Sequence, residues 1–200
     1  FIKSFNYHIN MFILKKRYFV IIESIKEINL KKIKTFNKIS IIYRNKNPEK
    51  FEKLQNFRLN CKRKGIRFFI SNNIKLMFSL KADGIYISAY NKNLSIPSSI
   101  HKKFEIIGAA HNINEINQRK RQNCSQILVS RLFETSYKKK IGFLGVTRFN
   151  LLQIFSKRKL IPLGGINLLN YKKVKMINSE GIALSSFIKK NPEVYLKILV

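Results

Sequence analysis

Two stretches near the C-terminus join a short apolar run to residues with little or no side chain. The first, Leu160–Ile166, contains two adjacent glycines, and the second, Gly181–Ser186, ends in two serines. Small residues at the C-terminal ends of adjacent parallel strands let backbone N–H groups approach a ligand closely, which suits a phosphate. A simple tight turn at the glycine pair is the alternative. The predicted phosphate-binding residues are Gly164, Gly165, Ser185 and Ser186.

Cationic and hydroxyl-bearing residues recur at the ends of other predicted strands. Arg44 and Lys46 follow the second strand, Ser71 follows the third, and Thr135 and Lys138 follow the sixth. Guanidinium and ammonium groups bind phosphate oxygens through charge-assisted hydrogen bonds, and arginine can bind two oxygens at once. Because the chain has 40 basic residues, one alone could fall there by chance. The prediction of a phosphate-binding site therefore rests on the recurrence of such residues at several strand ends.

The elements that must position these residues are strands alternating with helices. Runs of β-branched and aromatic residues predict eight strands, and right-handed crossovers between them favour a compact, closed, parallel (β/α)8 TIM barrel. An open doubly wound sheet is disfavoured because no G-x-G-x-x-G follows the first strand. The predicted strands are 17–22, 38–43, 67–70, 83–87, 104–108 and 126–129, followed by the two apolar runs that lead into Gly164-Gly165 and into Ser185-Ser186.

Capping residues predict where several of the helices begin. One helix is expected to have Asn47 as its N-cap and Pro48 as its first residue. Another is expected after Asn112, with Glu115 completing a capping box. A crossover helix is predicted within Leu168–Ser179 from its spaced apolar residues.

The chain is strongly basic, with 40 Lys and Arg against 10 Asp and Glu and a formal net charge of +30. Such a charge is typical of proteins that bind nucleic acid or a membrane surface. The lysines are spread along the whole chain with abundant isoleucine and asparagine, a composition that an A/T-rich coding bias produces. We therefore expect nucleic acid to bind only non-specifically.

A length of 200 residues predicts a single domain. We assign it to residues 13–200 and treat residues 1–12 as an N-terminal extension that can be disordered. Cys61 and Cys124 have no neighbouring cysteine or histidine, which indicates neither a zinc site nor a disulfide and favours a reducing cytoplasm. Phe1–Val20 lacks an uninterrupted apolar run of roughly 18 residues, so no membrane span is predicted.

The order and spacing of several motifs resemble the thiamine phosphate synthase family and its sister group, the thiazole tautomerases. The R-x-K of that family is matched by Arg44–Lys46, and its G-G-[IM] turn is matched by Gly164–Ile166. The resemblance covers roughly Ile39–Ile188. The further matching stretches are Ala82–Ser88, Gly108–His111, Phe133–Lys138 and Gly181–Ser186.

The resemblance implies a transferase that joins hydroxymethylpyrimidine diphosphate to thiazole phosphate, giving thiamine phosphate and pyrophosphate, with Mg²⁺ as cofactor. Its partners would be small phosphorylated substrates. The residues implied to act in catalysis by holding the diphosphate are Arg44, Lys46 and Lys138. Those implied to bind substrate phosphate are Gly164, Gly165, Ser185, Ser186, Thr135 and Ser71.

The metal site implied by the resemblance lacks its acids in this sequence. The two positions where the family carries a magnesium-binding aspartate fall on Asn72 and Asn91. Magnesium needs carboxylate charge to hold it against water, so we expect weakened Mg²⁺ binding.

Two other functions stay open. Phe133–Thr135 is closer to the tautomerase branch, which favours a tautomerase-like barrel or a non-catalytic phosphate binder without a metal site. The histidine that this branch places after the sixth strand is Arg131 in this chain, and His111, on another strand end, is expected to be structural. A basic RNA-binding protein ranks last because the chain lacks an aromatic and basic signature such as an RRM motif.

Overall fold

The computed structural model describes residues 17–33, 38–92, 96, 102–135, 142–167 and 169–185. Lys138, Ser186 and the extension 1–12 lie outside these ranges, so what was expected of them stays a prediction. Within the described ranges, no helix is long and apolar enough to cross a membrane.

Eight parallel strands form a closed barrel in which each strand pairs with the next along the chain and β1 pairs with β8. The predicted (β/α)8 fold and all eight predicted strands are confirmed. Their β-branched and aromatic residues suit strands that are covered on both faces. The strands are β1 (Arg17–Ile22), β2 (Ile39–Tyr43), β3 (Arg67–Ser71), β4 (Gly84–Ile87), β5 (Glu105–Ala110), β6 (Gln126–Ser130), β7 (Leu160–Leu163) and β8 (Gly181–Leu184).

Helices lie between most of the strands. Two short 3-10 turns, Ile25–Glu27 and Leu30–Lys32, follow β1. The α-helices in the described part of the chain are α1 (Phe51–Arg63), α2 (Ile74–Ser79), α3 (Ile113–Arg121), α4 (Gly145–Ser156) and α5 (Tyr171–Val174).

Helix α1 begins three residues later than the sequence predicted. Asn47 is not its N-cap and Pro48 is not its first residue, because the helix begins at Phe51. The intervening Glu49 explains the difference. Its carboxylate accepts hydrogen bonds from the Ser24 hydroxyl at 2.8 Å and from a backbone N–H beside it at 3.0 Å. These bonds attach Glu49 to the loop after β1, and the helix therefore begins only after this residue.

The N-cap predicted for α3 at Asn112 is confirmed, but the second bond of the capping box goes to His111, the residue before the N-cap. The side-chain oxygen of Asn112 accepts a hydrogen bond from the backbone N–H of Glu115 at 2.9 Å. In return, the Glu115 carboxylate accepts one from the backbone N–H of His111 at 2.7 Å. The start of α3 is therefore fixed directly after the end of β5.

The crossover helix predicted within Leu168–Ser179 is reduced to the four residues of α5. The side-chain oxygen of Asn167 accepts hydrogen bonds from the backbone N–H groups of Leu169 at 2.9 Å and Asn170 at 3.2 Å. An asparagine that bonds to the backbone two and three residues ahead holds it in a turn. This turn delays the helix and leaves Leu169 95% exposed.

The hydrophobic core has two layers. One fills the barrel and includes Phe19, Phe69, Tyr86, Leu128 and Ile161, with smaller residues between them. The other, larger layer lies between the strands and the surrounding helices. Filling the interior makes the barrel a solid scaffold, and its ligand site must lie at one end.

Charged residues close the N-terminal end of the barrel. Glu105, at the start of β5, forms ion pairs with Arg17 of β1 at 3.0 Å and with Arg67 of β3. The Arg67 guanidinium also lies 5.2 Å from the centre of the Phe69 ring. This ionic cluster leaves the opposite, C-terminal end for ligands.

Candidate phosphate-binding site

Arg44 follows β2 directly and is held by three elements. Its backbone N–H donates to the carbonyl of Ile22 at 2.8 Å, and its guanidinium donates to the Glu23 carboxylate at 3.2 Å. It also makes a side-chain hydrogen bond with Tyr86. The backbone of Arg44 is therefore fixed. Because 39% of its side chain is exposed, its guanidinium is accessible to a ligand. Lys46, on the same loop, is exposed.

Tyr86 stands inside the barrel beneath this rim and is 2% exposed. Burial raises the pKa of its phenol to about 12, although the nearby guanidinium groups of Arg44 and Arg119 pull that pKa down. At neutral pH Tyr86 is therefore an uncharged hydrogen-bonding group that orients Arg44. From the sequence, Tyr86 is recognised only as part of a strand motif.

The structure brings Asn72 and Asn91, the two predicted metal positions, into contact. The side-chain nitrogen of Asn91 donates to the side-chain oxygen of Asn72 at 3.3 Å. That oxygen also accepts the backbone N–H of Ser88 at 3.1 Å. The Asn72 nitrogen donates to the Ser88 hydroxyl at 2.7 Å and to the Tyr90 hydroxyl at 3.0 Å. All four hydrogen-bonding positions of the Asn72 amide are thus filled.

These residues do not fit magnesium. The side-chain oxygen of Asn72 already accepts two hydrogen bonds, and neither position carries a charge. Among the residues that the structure describes, no group of three or more His, Cys, Asp or Glu side chains is placed to hold a metal ion. Magnesium takes carboxylate ligands in such sites, and weakened Mg²⁺ binding stays a prediction.

Ser71 ends β3 beside Tyr86, with which it is paired in register. Its hydroxyl oxygen is buried and has no hydrogen-bond partner within the described structure. A buried hydroxyl without a partner is costly, and a ligand oxygen would satisfy it. This supports the expectation that Ser71 contacts substrate.

Gly164 and Gly165 form a turn directly after β7, with φ of +91° and +72°. A Cβ atom on Gly165 would lie within 2.6 Å of the Glu134 carbonyl oxygen and closer still to that of Phe133. The loop after β6 therefore packs on this turn, with the Phe133 N–H donating to the Gly164 carbonyl at 3.1 Å. Only glycine allows this backbone approach.

Thr135 and Ser185 lie on the two sides of the glycine turn. The Arg131 guanidinium donates to the Thr135 hydroxyl at 3.1 Å, and the Cα of Arg131 lies next to Gly164. On the other side, Leu163 pairs with Ala183 in register. Gly165 and the half-buried Ser185 therefore each lie two residues beyond a paired position.

His111 and Ser130 meet at the ends of β5 and β6. The Nδ1 atom of His111 lies 2.9 Å from the Ser130 hydroxyl and 3.1 Å from its carbonyl oxygen. The imidazole is exposed. Sequence reasoning expected a structural role for His111 and did not pair it with Ser130, because neighbouring strand ends are far apart in sequence.

Together, these features define a (β/α)8 barrel whose C-terminal end has a glycine turn after β7, a half-buried serine after β8 and a cationic loop after β2. The chain belongs to the thiamine monophosphate synthase family, whose family model matches residues 19–188. This stretch contains every described residue named above for the site.

Individual relatives agree with the family. A thiamine-phosphate synthase of Methanococcus vannielii is 27% identical over 121 residues, covering 60% of this chain and 59% of that protein. One of Flavobacterium psychrophilum is 30% identical over 135 residues, covering 64% and 66%. The chain thus spans less than two thirds of the length of both relatives.

A solved structure agrees in fold. The thiamine phosphate pyrophosphorylase of Pyrococcus furiosus superposes with a TM-score of 0.69 at 18% sequence identity, covering 93% of this chain and 96% of that one. At this identity the likeness concerns the fold.

Proposed function

We propose that this protein joins hydroxymethylpyrimidine diphosphate to thiazole phosphate, releasing pyrophosphate and thiamine phosphate. The observation that supports this proposal is the presence, at one end of the barrel, of two features whose chemistry suits a phosphate. The glycine turn after β7 with Ser185 forms one. Arg44, fixed by Tyr86 and Glu23, forms the other. A reaction between two phosphorylated substrates needs both.

Each feature has its own part in the proposed reaction. The glycine turn, Ser185 and Ser186 bind the thiazole phosphate, with Thr135 beside them. As the bond to the diphosphate breaks, negative charge accumulates on the leaving pyrophosphate. Arg44, Lys46 and Lys138 stabilise that charge, and the Ser71 hydroxyl donates a hydrogen bond to it. Bound magnesium would neutralise part of the same charge, but the residues at Asn72 and Asn91 do not fit it, and the roles of these cations and hydroxyls do not depend on it.

Isothermal titration calorimetry tests the proposal directly. Thiazole phosphate, pyrimidine diphosphate and pyrophosphate are titrated separately, and formation of thiamine phosphate is followed with both substrates present. We expect Ser185→Asp to weaken thiazole-phosphate binding about tenfold or more, because a carboxylate would repel the phosphate. Ser79→Asp, at an exposed serine that ends α2, is the control. Absence of binding by both substrates would refute the proposal.

A tautomerase-like function is the second candidate, favoured by the contact between His111 and Ser130. The imidazole lies next to the strand end where the tautomerase branch carries its histidine, and a histidine can move a proton near neutral pH. Exchange of substrate hydrogen for deuterium in thiazole phosphate alone, lost in His111→Gln, would favour this function. Binding of both substrates without either reaction would leave a phosphate-binding protein.

The cellular location and the partners are part of the proposal. A cytoplasmic protein acting on small phosphorylated substrates fits the two cysteines, which are both buried and free. Specific nucleic-acid binding is not part of the proposed function.

A further inference from the structure

Arg119 of α3 is a buried charge that the proposed reaction does not use. Its side chain is 0% exposed, and none of the ion pairs formed among the described residues includes it. Its Nε atom is buried without a hydrogen-bond partner there. A buried guanidinium without a carboxylate partner is costly. The partners of this guanidinium are neutral oxygen atoms instead.

The guanidinium of Arg119 holds the loop after β4 by its backbone. It donates to the carbonyl oxygens of Asn91 at 3.1 Å and Ala89 at 3.4 Å, and to the side chain of Gln122. Gln118 of the same helix donates to the carbonyl of Lys92 at 2.9 Å. Hydrogen bonds from two side chains of helix α3 thus hold this loop in place.

The same loop is held from the other side by Asn72. Its amide bonds to Ser88, Tyr90 and Asn91. The loop is therefore fixed between an uncharged amide network and a buried cation. The resemblance implies a divalent cation at this position.

Two arginines place positive charge around this loop. Both Arg44 and Arg119 act on the Tyr86 phenol and lower its pKa. Burial lowers the pKa of Arg119 itself, but an arginine stays protonated at neutral pH. A fixed positive charge in a site of low polarity repels a second cation and attracts an anion. The Glu23 carboxylate pairs with Arg44, and Glu115 acts on Arg119 from the same helix. Among the described residues Arg119 forms no ion pair, so its buried positive charge favours a bare diphosphate.

We propose that Arg119 is a positioning residue that fixes the loop after β4 and supplies buried positive charge, so that the site binds a diphosphate without a divalent cation. The identification of the anion as a diphosphate rests on the proposed function. The contacts of Arg119 and the lack of fit for magnesium stand independently of it.

The first test measures the affinity of the unaltered protein for inorganic pyrophosphate by calorimetry, once in EDTA and once in Mg²⁺. We expect the two dissociation constants to agree within about threefold, which is under 1 kcal/mol. A loss of tenfold or more in EDTA would overturn the proposal, because it would show that a metal carries the binding.

The second test removes the buried charge. Arg119→Met should weaken pyrophosphate binding in EDTA about ten- to a hundredfold, the size of a lost interaction with a charged group. Arg119→Lys, which keeps the charge, should recover part of the affinity. Thiazole-phosphate binding should change less than about threefold, which separates an effect on this loop from a general loss of structure. Arg121→Met, an exposed arginine of the same helix, is the control. Unchanged pyrophosphate binding in folded Arg119→Met would overturn the positioning role.

Asn91→Asp covers the case in which Arg119→Met does not fold. The backbone carbonyl of Asn91 accepts from Arg119 and its side chain contacts Asn72. A carboxylate at this position would offset part of the positive charge around the loop, so pyrophosphate binding should weaken in EDTA and recover when Mg²⁺ is added. Affinity in EDTA equal to that of the unaltered protein would contradict the proposal. If pyrophosphate binds without metal but neither organic substrate binds, the proposed function fails while this inference holds.

Discussion

The Arg44 guanidinium lies 3.2 Å from the Glu23 carboxylate, so the predicted diphosphate-binding cation is paired within the protein. The two residues follow β2 and β1, which are neighbours in the barrel. Their side chains are 39% and 51% exposed, and exposed ion pairs are weak. An incoming phosphate oxygen must nevertheless bind beside a negative charge.

Replacing Glu23 should therefore strengthen anion binding. Glu23→Gln is expected to raise the affinity for pyrophosphate about two- to fivefold, because an exposed pair contributes up to about 1 kcal/mol. Calorimetry at low salt measures it. Glu180→Gln removes the same charge from a pair with Lys159 before β8, at the other end of the barrel, and should have no effect. Weaker binding by Glu23→Gln would show that Glu23 is needed to hold Arg44 in place.

The two adjacent glycines should differ in their tolerance of a methyl group. Both have positive φ, so alanine at either costs about 1 kcal/mol in strain. At Gly164 the nearest atom to the new Cβ is 3.5 Å away, whereas at Gly165 the Cβ would overlap the backbone of Phe133 and Glu134.

Urea unfolding should therefore give a much lower free energy of unfolding for Gly165→Ala than for Gly164→Ala, by about 2 kcal/mol or more. Equal values would mean that the loop after β6 moves away from the turn at little cost. Loss of phosphate binding in Gly165→Ala is consequently a poor guide to ligand contact, and Ser185→Asp is the better variant.

Stability should fall at alkaline pH. Burial raises the pKa of Cys61 and Cys124 from 9.0 to about 12, and that of Tyr86 from 10.0 to about 12. Between the ordinary and the raised value the unfolded chain has lost a proton that the folded protein keeps. The free energy of unfolding should thus decrease by about 1.4 kcal/mol per pH unit for each such group.

Urea titrations from pH 8 to about pH 11 would measure this slope. Tyr86→Phe should reduce the slope above about pH 10, where the phenol of the unfolded chain ionises, and leave it unchanged near pH 9. A slope that is the same in both proteins above pH 10 would mean that Tyr86 ionises as easily in the folded state.

The net charge of +30 should give nucleic-acid binding that depends steeply on salt. Binding by counterion release falls by orders of magnitude between about 50 and 200 mM salt. Thiazole phosphate, held by oriented N–H and hydroxyl groups, should lose much less affinity. Paired salt titrations with an oligonucleotide and with thiazole phosphate compare the two. Sequence-selective oligonucleotide binding that survives about 200 mM salt would place RNA binding first among the functions.

The strands and the glycine turn could be predicted because they depend on local sequence. Runs such as Arg17–Ile22 suit a buried strand in any context, and only glycine suits the positive φ of Gly164 and Gly165. The start of α1 could not be predicted, because Pro48 obeys a local rule that Glu49 overrides through bonds to the loop after β1. Such long-range partners are invisible to capping patterns.

The surroundings of Asn72 and Arg119 also required the structure. The resemblance placed Asn72 and Asn91 near one site, but the hydrogen bonds that fill the Asn72 amide come from a loop 16 to 19 residues away. Arg119 was one of 40 basic residues. The sequence did hold a sign that Arg119 is buried. Arg119 lies three residues after the buried Ile116, on the same face of a mostly polar helix. An apolar residue would be expected at that position.

Pairing between β1 and β8 has a consequence for the order in which the chain folds. Arg17 lies beside Gly181, so the barrel cannot close until β8 has left the ribosome. Until then the N–H and C=O groups on one edge of β1 have no strand to bond to, and an open edge invites pairing with other chains. Contacts so distant in sequence also slow folding. Strand β8 thus protects the edge of β1, and truncation before Gly181 should yield a chain that aggregates.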